Sequence, residues 1–547
     1  MHLPPRVHTV ARDAVVVALR ARRRVSVELW RAVPAALRGP FEVVASFDTW
    51  AYLSELTSEL SQLLERHGIE HLVLSDDLLP LPQVIVRSVD AARVQRALAE
   101  DPAAVHWWLA RSLTGLVSHA RPARSRLFRL AGHTGIVVSR NLVSAEGLPL
   151  THSEVGIQLQ FWIELTEPTS SAGGGEHPAG TLMSPTQNGV LDYIGTELWL
   201  EAQTNGHRLP GTTPHLLSVQ EPVDLVYTWV DGDDPAWKAR KAAALGTDLA
   251  DYSVDAAIDA RFENRDELKY SLRSVQMFAN WVNHIWIVTD QQKPGWLRED
   301  DRLTVVDHRD IFADRSALPV FNSHAIESQL HHIPGLADRY LYLNDDMLFG
   351  APVRKEDFFH ANGLSTFFTS MALLDLSAHS ADDLAVAAAG KNNRDLVEAD
   401  FGRTITNKLW HTPQPQQRTV IAALEEAHPA LFDDVMRSKF RHADNYSLPS
   451  SLSQYYAYAS GRAVTGMVTY GYMDLATDRA ELMLELWLRN RDHQCLCVND
   501  SGEDDPAVHR AKGAALCGFF HTYYPVPSRW ELAAGSVPTA SPWMILH

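Results

Sequence analysis

Cysteine is scarce in this sequence. Its 547 residues include only three, Cys495, Cys497 and Cys517. A number this small and odd excludes a disulfide framework and indicates a reducing compartment. Cys495 and Cys497 stand two residues apart, without a second pair to complete a zinc site, so we expect buried thiols.

An excess of basic residues is also missing. The chain carries 49 Lys and Arg against 67 Asp and Glu, which gives a formal net charge of −18 at pH 7. Nucleic-acid binding needs a basic surface that neutralises phosphates, so we predict no nucleic-acid partner. A phosphate-bearing substrate stays open, because a metal ion and a few Arg or His side chains can reverse the local field.

Long apolar runs are absent as well. Near the N-terminus residues 14–19 are apolar, but this stretch is too short for a secretory signal or a membrane-spanning helix. The nearby arginines are Arg12, Arg20, Arg22, Arg23 and Arg24. A basic contact with an anionic membrane surface therefore competes with the plainer interpretation of a solvated helix end. We predict a cytoplasmic protein, with peripheral contact at the inner face of the membrane as the open alternative.

What the chain does have is length and a globular composition. It is 46% hydrophobic and 21% charged, and its 547 residues exceed what one hydrophobic core supports, so we expect two or three packed units. The predicted organisation is an N-terminal mixed α/β region of unknown role (1–170), a linker and entry segment (171–220), the first part of a core (221–350), a mostly helical part (351–480) and a closing part (481–547).

Strands and helices alternate in the core region. Residues 224–230 form a near-continuous apolar run, as expected of a buried parallel strand. Helical periodicity follows over 267–278, and further apolar runs cover 285–288, 303–306 and 340–343. This alternation predicts an α/β sheet of the Rossmann type, in which ligands bind beyond the carboxyl ends of the strands.

Acidic turns follow two of these strands. After the last one come Asn344, Asp345 and Asp346. Paired carboxylates are costly unless a cation, a donor or a proton compensates them, and Mg²⁺ takes such oxygen ligands while bridging substrate phosphates. A capping cluster that satisfies the backbone N–H groups of the next turn fits the spacing equally well.

The turn after the first strand contains Asp231, Gly232 and Asp233. Its carboxylates could hold a metal, a ribose or a sugar beside a glycine that allows close approach, but the pattern is also ordinary turn chemistry. Glu327 lies near the start of a predicted helix, four residues after Ser323. It is either a catalytic or metal-organising carboxylate or a partner in helix capping.

His411 and Arg441 are weaker candidates on spacing alone. Thirty residues separate them, and His411 precedes Thr412 and Pro413, where a helix is broken. An isolated His or Arg is more often structural or solvated than catalytic, so neither residue indicates a function without further support.

Taken together, several segments resemble the four characteristic blocks of the Stealth family, in the family's order. They are DLVYTWVDGDDPAW (224–237); RFENRDELKYSLRSVQMFANWVNHIWIVTD (261–290) continuing through PVFNSHAIESQLHHIPGLADRYLYLNDDMLFG (319–350); NKLWHTPQPQQR (407–418) with SKFRHADN (438–445); and CLCVNDSGEDD (495–505) with FFHTYYPVPSRWE (519–531). The resemblance covers residues 222–532, more than half the chain. Four ordered blocks are more specific than any single motif.

This family includes bacterial transferases that build capsules from hexose phosphates, and the catalytic subunit of the animal enzyme that puts GlcNAc-1-phosphate on lysosomal glycans. The resemblance therefore implies transfer of a sugar-1-phosphate from a UDP-sugar donor to a glycan hydroxyl, forming a phosphodiester in a capsule or exopolysaccharide. It also implies a Rossmann-like core related to glycosyltransferase-A, with a helical insertion.

Roles for particular residues follow from the same resemblance. The family's active-site carboxylates fall on Glu327 and Asp346, and its His and Arg fall on His411 and Arg441, so these four are the expected catalytic residues. Asp345 joins Asp346 as an expected ligand of Mg²⁺ or Mn²⁺. The expected substrate-binding residues are Asp231, Gly232, Asp233, Arg261 and Asn344.

The implied mechanism leaves one role open. Arg441 would brace phosphate oxygens with its planar donor fork, and either His411 or Glu327 would be the general base for the acceptor hydroxyl. Arg265 stands in the second block where an uncharged or acidic residue is expected, which bears on donor or acceptor preference.

Two other functions compete with this one. A metal-dependent glycosyltransferase would move the sugar alone and release UDP, whereas sugar-phosphate transfer releases UMP. A non-catalytic carbohydrate-binding protein of the same fold would have no need to retain all four of the expected catalytic residues together.

Overall fold

The computed structural model describes residues 16, 18, 41–75, 79–113, 116–117, 121–124, 130, 133–151, 155–171, 174–186, 190–210, 214–246, 264–380, 383–502 and 505–533. The chain divides into two compact units, Leu19–Ser218 and Val219–His547 with Met1–Ala18. In the parts just given, no helix combines the length and the apolarity that crossing a bilayer requires. Apart from 16 and 18, the arginine-rich stretch 12–24, for which membrane contact and a solvated helix end are the alternatives, lies outside the described residues.

The first unit, Leu19–Ser218, is a mixed α/β fold. Its elements are β1 (Phe41–Val43), α1 (Thr49–Arg66), β2 (His71–Leu74), β3 (Gln83–Arg87), α2 (Ala91–Glu100), β4 (Trp107–Leu113), β5 (Leu116–Val117), β6 (Arg121–Pro122), β7 (Gly135–Val143), β8 (Ile157–Glu164), β9 (Thr169–Ser170), β10 (Glu176–His177), β11 (Leu182–Met183), β12 (Tyr193–Ile194) and α3 (Thr196–Thr204). The main sheet runs in the order β12, β11, β8, β7, β4, β5, and β3 pairs with β8 in parallel.

Helix α1 begins and packs for local reasons. The side chain of Asp48 accepts a hydrogen bond from Trp50 N at 2.9 Å, which caps the first turn. Leu56, Leu60 and Leu63 recur at helical spacing and are fully buried, so one stripe of the helix faces the core.

The segment 171–220, for which the sequence predicts a linker and entry segment, contains β10, β11, β12 and α3. Ile194 and Trp199 from this segment are buried in one cluster with Ile85 and Trp162. Apolar residues of the segment therefore belong to the core of the first unit. Strand β10 lies within the Gly-rich stretch 171–180 and pairs with β9 in an antiparallel arrangement.

The second unit carries the rest of the helices and strands. Its elements are β13 (Val223–Thr228), α4 (Pro235–Leu245), α5 (Glu267–Phe278), β14 (Ile285–Thr289), β15 (Leu303–Asp307), α6 (His308–Ile311), α7 (Ser323–Glu327), a 3₁₀ turn (Leu330–His332), β16 (Arg339–Asn344), β17 (Met347–Phe349), β18 (Ser365–Phe367), β19 (Thr369–Leu373), α8 (Ala385–Phe401), β20 (Asn407–Leu409), β21 (Gln414–Gln417), α9 (Arg418–Ala427), α10 (Pro429–Arg437), α11 (Ser453–Ala459), β22 (Ala463–Thr465), β23 (Tyr470–Asp474), α12 (Ala480–Asn490), β24 (Cys495–Asn499) and α13 (Pro506–Tyr523).

The central sheet of this unit runs in the order β15, β14, β13, β16, β21. The first four strands are parallel, and β21 is antiparallel to β16. In register, Tyr227 of β13 faces Ile287 of β14 on one side and Leu343 of β16 on the other. The predicted alternation of strands and helices is confirmed, and the chain has a mixed α/β fold.

Parallel register brings the segments after these strands to one edge of the sheet. That edge carries the turn after β13, Asp290 after β14, His308 after β15 and Asn344 at the end of β16. A second, three-stranded sheet of β17, β24 and β23 follows directly, and β17 pairs with β24 so that Met347 faces Cys497. This pairing carries residues 499–501 to the same edge as the acidic turn after β16.

Residues 351–480, predicted as mostly helical, contain α8, α9, α10 and α11 together with six short strands, β18 to β23. Each of these strands has only three to five residues. Runs this short show too few alternations for a period of two to be recognised in the sequence.

Candidate active site

A cavity of about 670 Å³ opens at the carboxyl edge of the central sheet. Its wall includes all four of the expected catalytic residues, Glu327, Asp346, His411 and Arg441. These come from four separate segments of the chain: the end of α7, the turn after β16, the β20–β21 connection and the stretch after α10. The fold thus brings together side chains that sequence spacing alone could not connect.

Three carboxyl groups, which we call the acidic cluster, occupy one end of the cavity: Glu267, which is buried, and Asp345 and Asp346, which are partly buried. Burial raises the pKa of Asp345 to about 7, and the negative charge of Asp346 adds to the effect. Burial likewise raises the pKa of Asp346 to about 7, with Glu267 contributing repulsion. The pKa of Glu267 is raised to about 8 by burial and by the charge of Asp345. A cation placed among these groups would offset both the burial of their charges and the repulsion between them.

The acidic cluster fits a hard divalent cation. Its donor atoms are all carboxylate oxygens, the ligand type that Mg²⁺ and Mn²⁺ prefer. Asp346 Oδ1 is buried and has no hydrogen-bond partner among the described residues, while Cys497 Sγ lies 3.5 Å from its Oδ2. One oxygen of Asp346 is therefore available to a ligand that the protein itself does not provide.

Glu327 is the last residue of α7 and is buried. Tyr342 Oη lies 3.1 Å from its Oε1, and Ser450 Oγ donates to its Oε2 at 3.2 Å. Burial raises the pKa of Glu327 to about 7, although the charge of Arg441 and both hydrogen bonds pull it down. Asn322 caps the helix by accepting from His324 N at 3.1 Å, so capping does not use the Glu327 carboxylate.

Arg441 and His411 supply the basic side of the cavity. Arg441 Nη2 donates to Ser323 Oγ at 2.7 Å, at the start of the helix that ends in Glu327. The ring of His411 is exposed to the cavity. The surrounding protein nevertheless lowers the pKa of His411 below its ordinary value, and the charge of Lys408 lowers it further. His411 is therefore neutral at pH 7, with a lone pair to offer.

Only some of the expected substrate-binding residues lie at the cavity. Asn344 lines the cavity, and its Oδ1 lies 2.9 Å from Tyr342 Oη. In contrast, none of Asp231, Gly232 and Asp233 lines the cavity. Arg261 lies outside the described residues.

Local hydrogen bonds and an ion pair explain why the acidic side chains of the turn after β13 do not line the cavity. Asp231 Oδ1 accepts from Asp233 N at 3.0 Å, which closes the turn on itself. Asp233 is 79% exposed and pairs with Lys238 at 2.9 Å. The neighbouring Trp229 and Val230 do line the cavity. The residues just before the turn therefore belong to the cavity wall, and the acidic residues of the turn do not.

Arg265 is a wall residue whose role the sequence left open. Its side chain is 2% exposed, and its Nη2 lies 2.8 Å from Asp500 Oδ2. The same nitrogen donates to His509 Nε2 at 2.8 Å, and its backbone N–H donates to Glu267 Oε2 at 2.6 Å. Arg265 thus puts one positive charge next to the acidic cluster and holds the loop after β24 against it.

Several residues of the cavity are not among those predicted from the sequence. Glu267 and Asp500 lie at its acidic end. Both are acidic residues within the segments that resemble the family blocks, and this is the sequence feature that could have identified them. Asp290 and His308 also line the cavity, and Asp290 Oδ2 accepts from Arg240 Nε at 2.9 Å. Their position directly after β14 and β15 follows from the rule that ligands bind at strand carboxyl ends.

The cavity also has an aromatic lining. Trp237 and Phe321 belong to its wall, with ring centroids 5.4 Å apart in an edge-to-face arrangement. Burial lowers the pKa of His308, another wall residue, which keeps that ring neutral. The cavity wall therefore combines the acidic cluster with aromatic side chains.

All three cysteines are free. Cys495 and Cys497 are buried, as predicted, while Cys517 is only partly buried. Burial raises the pKa of the Cys497 thiol, and the negative charge of Asp346 raises it further. Cys497 is thus a protonated neighbour of the acidic cluster.

Together these features define an α/β protein with an acid-lined cavity at the carboxyl edge of a parallel sheet. Models of all four Stealth conserved regions match the chain: region 1 over residues 221–248, region 2 over 261–367, region 3 over 410–458 and region 4 over 487–542. The chain belongs to the Stealth family.

Similar proteins carry one shared name, exopolysaccharide phosphotransferase. CpsY of Mycobacterium tuberculosis is 39% identical over 391 residues, 70% of this chain and 70% of that protein. SCO6023 of Streptomyces coelicolor is 47% identical over 314 residues, 57% of this chain. SCO2592 of the same organism is 36% identical over 485 residues, 86% of this chain. The matches cover 53% and 50% of the two Streptomyces proteins' own length, so the chain spans about half of each.

Proposed function

We propose that this protein is an exopolysaccharide phosphotransferase that moves a sugar-1-phosphate from a UDP-sugar to a glycan hydroxyl. The observation that carries the proposal is the single cavity that collects Glu327, Asp346, His411 and Arg441 beside two further carboxyl groups of raised pKa, Glu267 and Asp345. The names of the relatives support the same reaction class. We further propose that the parallel sheet is a Rossmann-like core related to glycosyltransferase-A.

The reaction exchanges one phosphorus–oxygen bond for another. The acceptor oxygen attacks the donor's β-phosphorus, the bond from that phosphorus to the bridging oxygen breaks, and UMP leaves. The bond between the sugar and its oxygen survives, so the anomeric configuration is kept. Such a transfer depends chiefly on positioning and on neutralising charge.

Asp345, Asp346 and Glu267 would hold Mg²⁺ or Mn²⁺. When bound, this ion would supply charge neutralisation at the pyrophosphate. Among the described residues of the acidic cluster, no three ligand atoms lie within 4.8 Å of one another. A site that shares its ion with the substrate does not need three protein ligands that are already close together. Arg441 adds a planar fork of donors for phosphate oxygens.

We assign the general base to Glu327. Its pKa of about 7 matches a working pH near neutrality, and its two oxygens are held by Tyr342 and Ser450. His411, neutral and exposed to the cavity, contacts the substrate instead. The aromatic side chains of Trp237 and Phe321 would bind the base of the nucleotide.

The surrounding organisation completes the proposal. Residues 221–547 would form the transferase, with the parts 221–350, 351–480 and 481–547 in the order predicted, and the first unit would bind acceptor or serve assembly. Three free thiols fit a cytoplasmic location, where UDP-sugars are available.

Nucleotide release tests the reaction class. The protein is incubated with a panel of UDP-sugars, Mg²⁺ or Mn²⁺ and an envelope-glycan extract, and UMP is separated from UDP. We expect UMP, lost with EDTA and in Asp346→Asn. UDP alone would instead identify an ordinary glycosyltransferase, and sugar binding without either nucleotide would favour a carbohydrate-binding protein.

A further inference from the structure

Two histidines and a glutamate form a compact group in the second unit that the proposed reaction does not use. His331 and His332 belong to the 3₁₀ turn Leu330–His332, and Glu425 lies near the end of α9. Glu425 Oε2 is 2.7 Å from His331 Nε2 and 3.0 Å from His332 Nε2. All three potential ligand atoms lie within 4.8 Å of one another, and none of the three residues lines the cavity.

The orientation of His332 is the second observation. Its Nδ1 lies 3.2 Å from the carbonyl oxygen of Ile311. Because a carbonyl oxygen only accepts, Nδ1 must carry hydrogen. At 3.0 Å from Glu425, Nε2 then either donates a proton as part of an imidazolium or offers its lone pair to a metal ion that Glu425 shares. A backbone carbonyl on the far ring nitrogen is also how metal-binding histidines are commonly oriented.

The solvent exposure of the three side chains and the type of their ligand atoms indicate which cation the group would bind. His331 is 2% exposed, whereas His332 and Glu425 are 30% and 29% exposed, so one side of the group is closed and the other reaches solvent. Two imidazoles and one carboxylate are ligands for zinc-like ions, which bind at about 2.0–2.2 Å and leave a fourth position for water. Ligand atoms of such a tetrahedral ion stand about 3.3 Å apart. The distances of 2.7 and 3.0 Å to Glu425 are shorter, so the side chains would have to move apart by about half an ångström to admit the ion.

We propose that His331, His332 and Glu425 bind a divalent transition-metal ion of the zinc type, with water as the fourth ligand. The ion would connect α9 to the 3₁₀ turn that follows α7. In that turn, His331 lies four residues after Glu327. The competing occupant is a proton, which would make a His332 imidazolium paired with Glu425.

A second group of similar composition serves as an internal comparison. In the first unit Glu65, His71 and His207 also place ligand atoms within 4.8 Å of one another. There, however, His71 Nε2 lies 2.6 Å from Ser61 Oγ and its Nδ1 lies 3.0 Å from the carbonyl oxygen of Ile69. Each ring nitrogen of His71 thus has a partner outside the group, whereas Nε2 of His332 faces Glu425 within its own group, so we expect no metal at the first-unit group.

Cobalt binding tests the proposal without reference to activity. The full chain is stripped with a chelator and titrated with Co²⁺ near pH 7.5, and the visible absorption of tetrahedral cobalt is recorded. The wild-type protein should give this absorption at one equivalent, and Zn²⁺ should displace it. Glu425→Gln and His332→Gln should each weaken binding by about 100-fold or more, since even supporting partners of metal ligands contribute 10–100-fold.

Matched controls separate this site from others. Asp400→Asn removes the carboxylate of the nearby His428–Asp400 pair, which is 2.7 Å long, and should leave cobalt binding unchanged. Glu65→Gln and Asp346→Asn should also leave it unchanged. Wild-type protein without tetrahedral absorption would overturn the proposal in favour of the proton, whether or not the variants fold. Absorption that persists in a folded Glu425→Gln protein would overturn it too.

Discussion

Removing the hydroxyl of Ser450 tests the role of Glu327. Ser450 Oγ donates to Glu327 Oε2 at 3.2 Å, and this bond lowers the pKa of the carboxyl group against the larger effect of burial. A general base must be ionised, so activity should rise with pH through a midpoint near the Glu327 pKa of about 7. In Ser450→Ala the carboxylate loses a donor, and the midpoint should move upward.

The size of the shift follows from the bond that is lost. A hydrogen bond to a charged group contributes about 1.5–3 kcal/mol, and about 1.4 kcal/mol corresponds to one pKa unit. Water in the cavity replaces part of the bond, so we expect a rise of about one unit. A base with a pKa of about 7 is half ionised at pH 7, and one a unit higher is about one-tenth ionised. At pH 7 kcat/KM should therefore fall about fivefold, with recovery near pH 9.

The assay is the pH profile of kcat/KM from UMP release, measured for the wild type, Ser450→Ala and Ser451→Ala. Ser451 lines the same cavity and is not a partner of Glu327, so its variant is the matched control. An unchanged midpoint in Ser450→Ala, or an equal shift in Ser451→Ala, would refute Glu327 as the base. A midpoint below 6.5 that neither variant moves would instead assign the role to His411, whose pKa is lowered.

Three more outcomes follow from the site. Folding raises the pKa values of the acidic cluster, so the folded chain binds more protons than the unfolded chain between about pH 4 and pH 8, and its stability falls across that interval and levels off above it; without metal, the Tm should fall over the same interval, and Mn²⁺ or Asp346→Asn should reduce the fall. Replacing His411 or Arg441 by Ala should lower kcat by about 10²–10³-fold while circular dichroism and Tm stay unchanged; a variant that keeps half of the wild-type rate would remove that residue from the mechanism. Arg265→Met should cost about 3–5 kcal/mol in urea unfolding because it strands the buried Asp500 carboxylate, and Asp500→Asn in the same chain should recover part of the loss; a neutral Arg265→Met would contradict the ion pair.

The core sheet was accessible to sequence reasoning because its signals are local and long. The apolar run over 224–230 appears as β13, although the strand ends two residues earlier, at Thr228. The helical pattern over 267–278 appears as α5 with the same bounds. Buried parallel strands and an amphipathic helix each show their pattern within one segment. The acidic turn after β16 was found for the same reason, since it directly follows a recognisable strand.

The composition of the site was less accessible because it depends on distant segments. Glu267 and Asp346 are separated by 79 residues, and only the packing of α5 beside β17 reveals that their charges interact. Asp231 and Asp233 looked equivalent to Asp345 and Asp346 in the sequence. Local turn bonds and the Lys238 ion pair, which spacing does not encode, keep the former out of the cavity.

Following the phosphorus atom tests the central claim most directly. The protein is given a UDP-sugar labelled with ³²P in the β-phosphate, together with Mg²⁺ or Mn²⁺ and an envelope-glycan extract, and label is counted in the glycan and in the released nucleotide. Sugar-1-phosphate transfer predicts label in the glycan, as a phosphodiester, and unlabelled UMP in solution. Label that remains in solution as UDP, with sugar but no phosphorus in the glycan, would contradict the account.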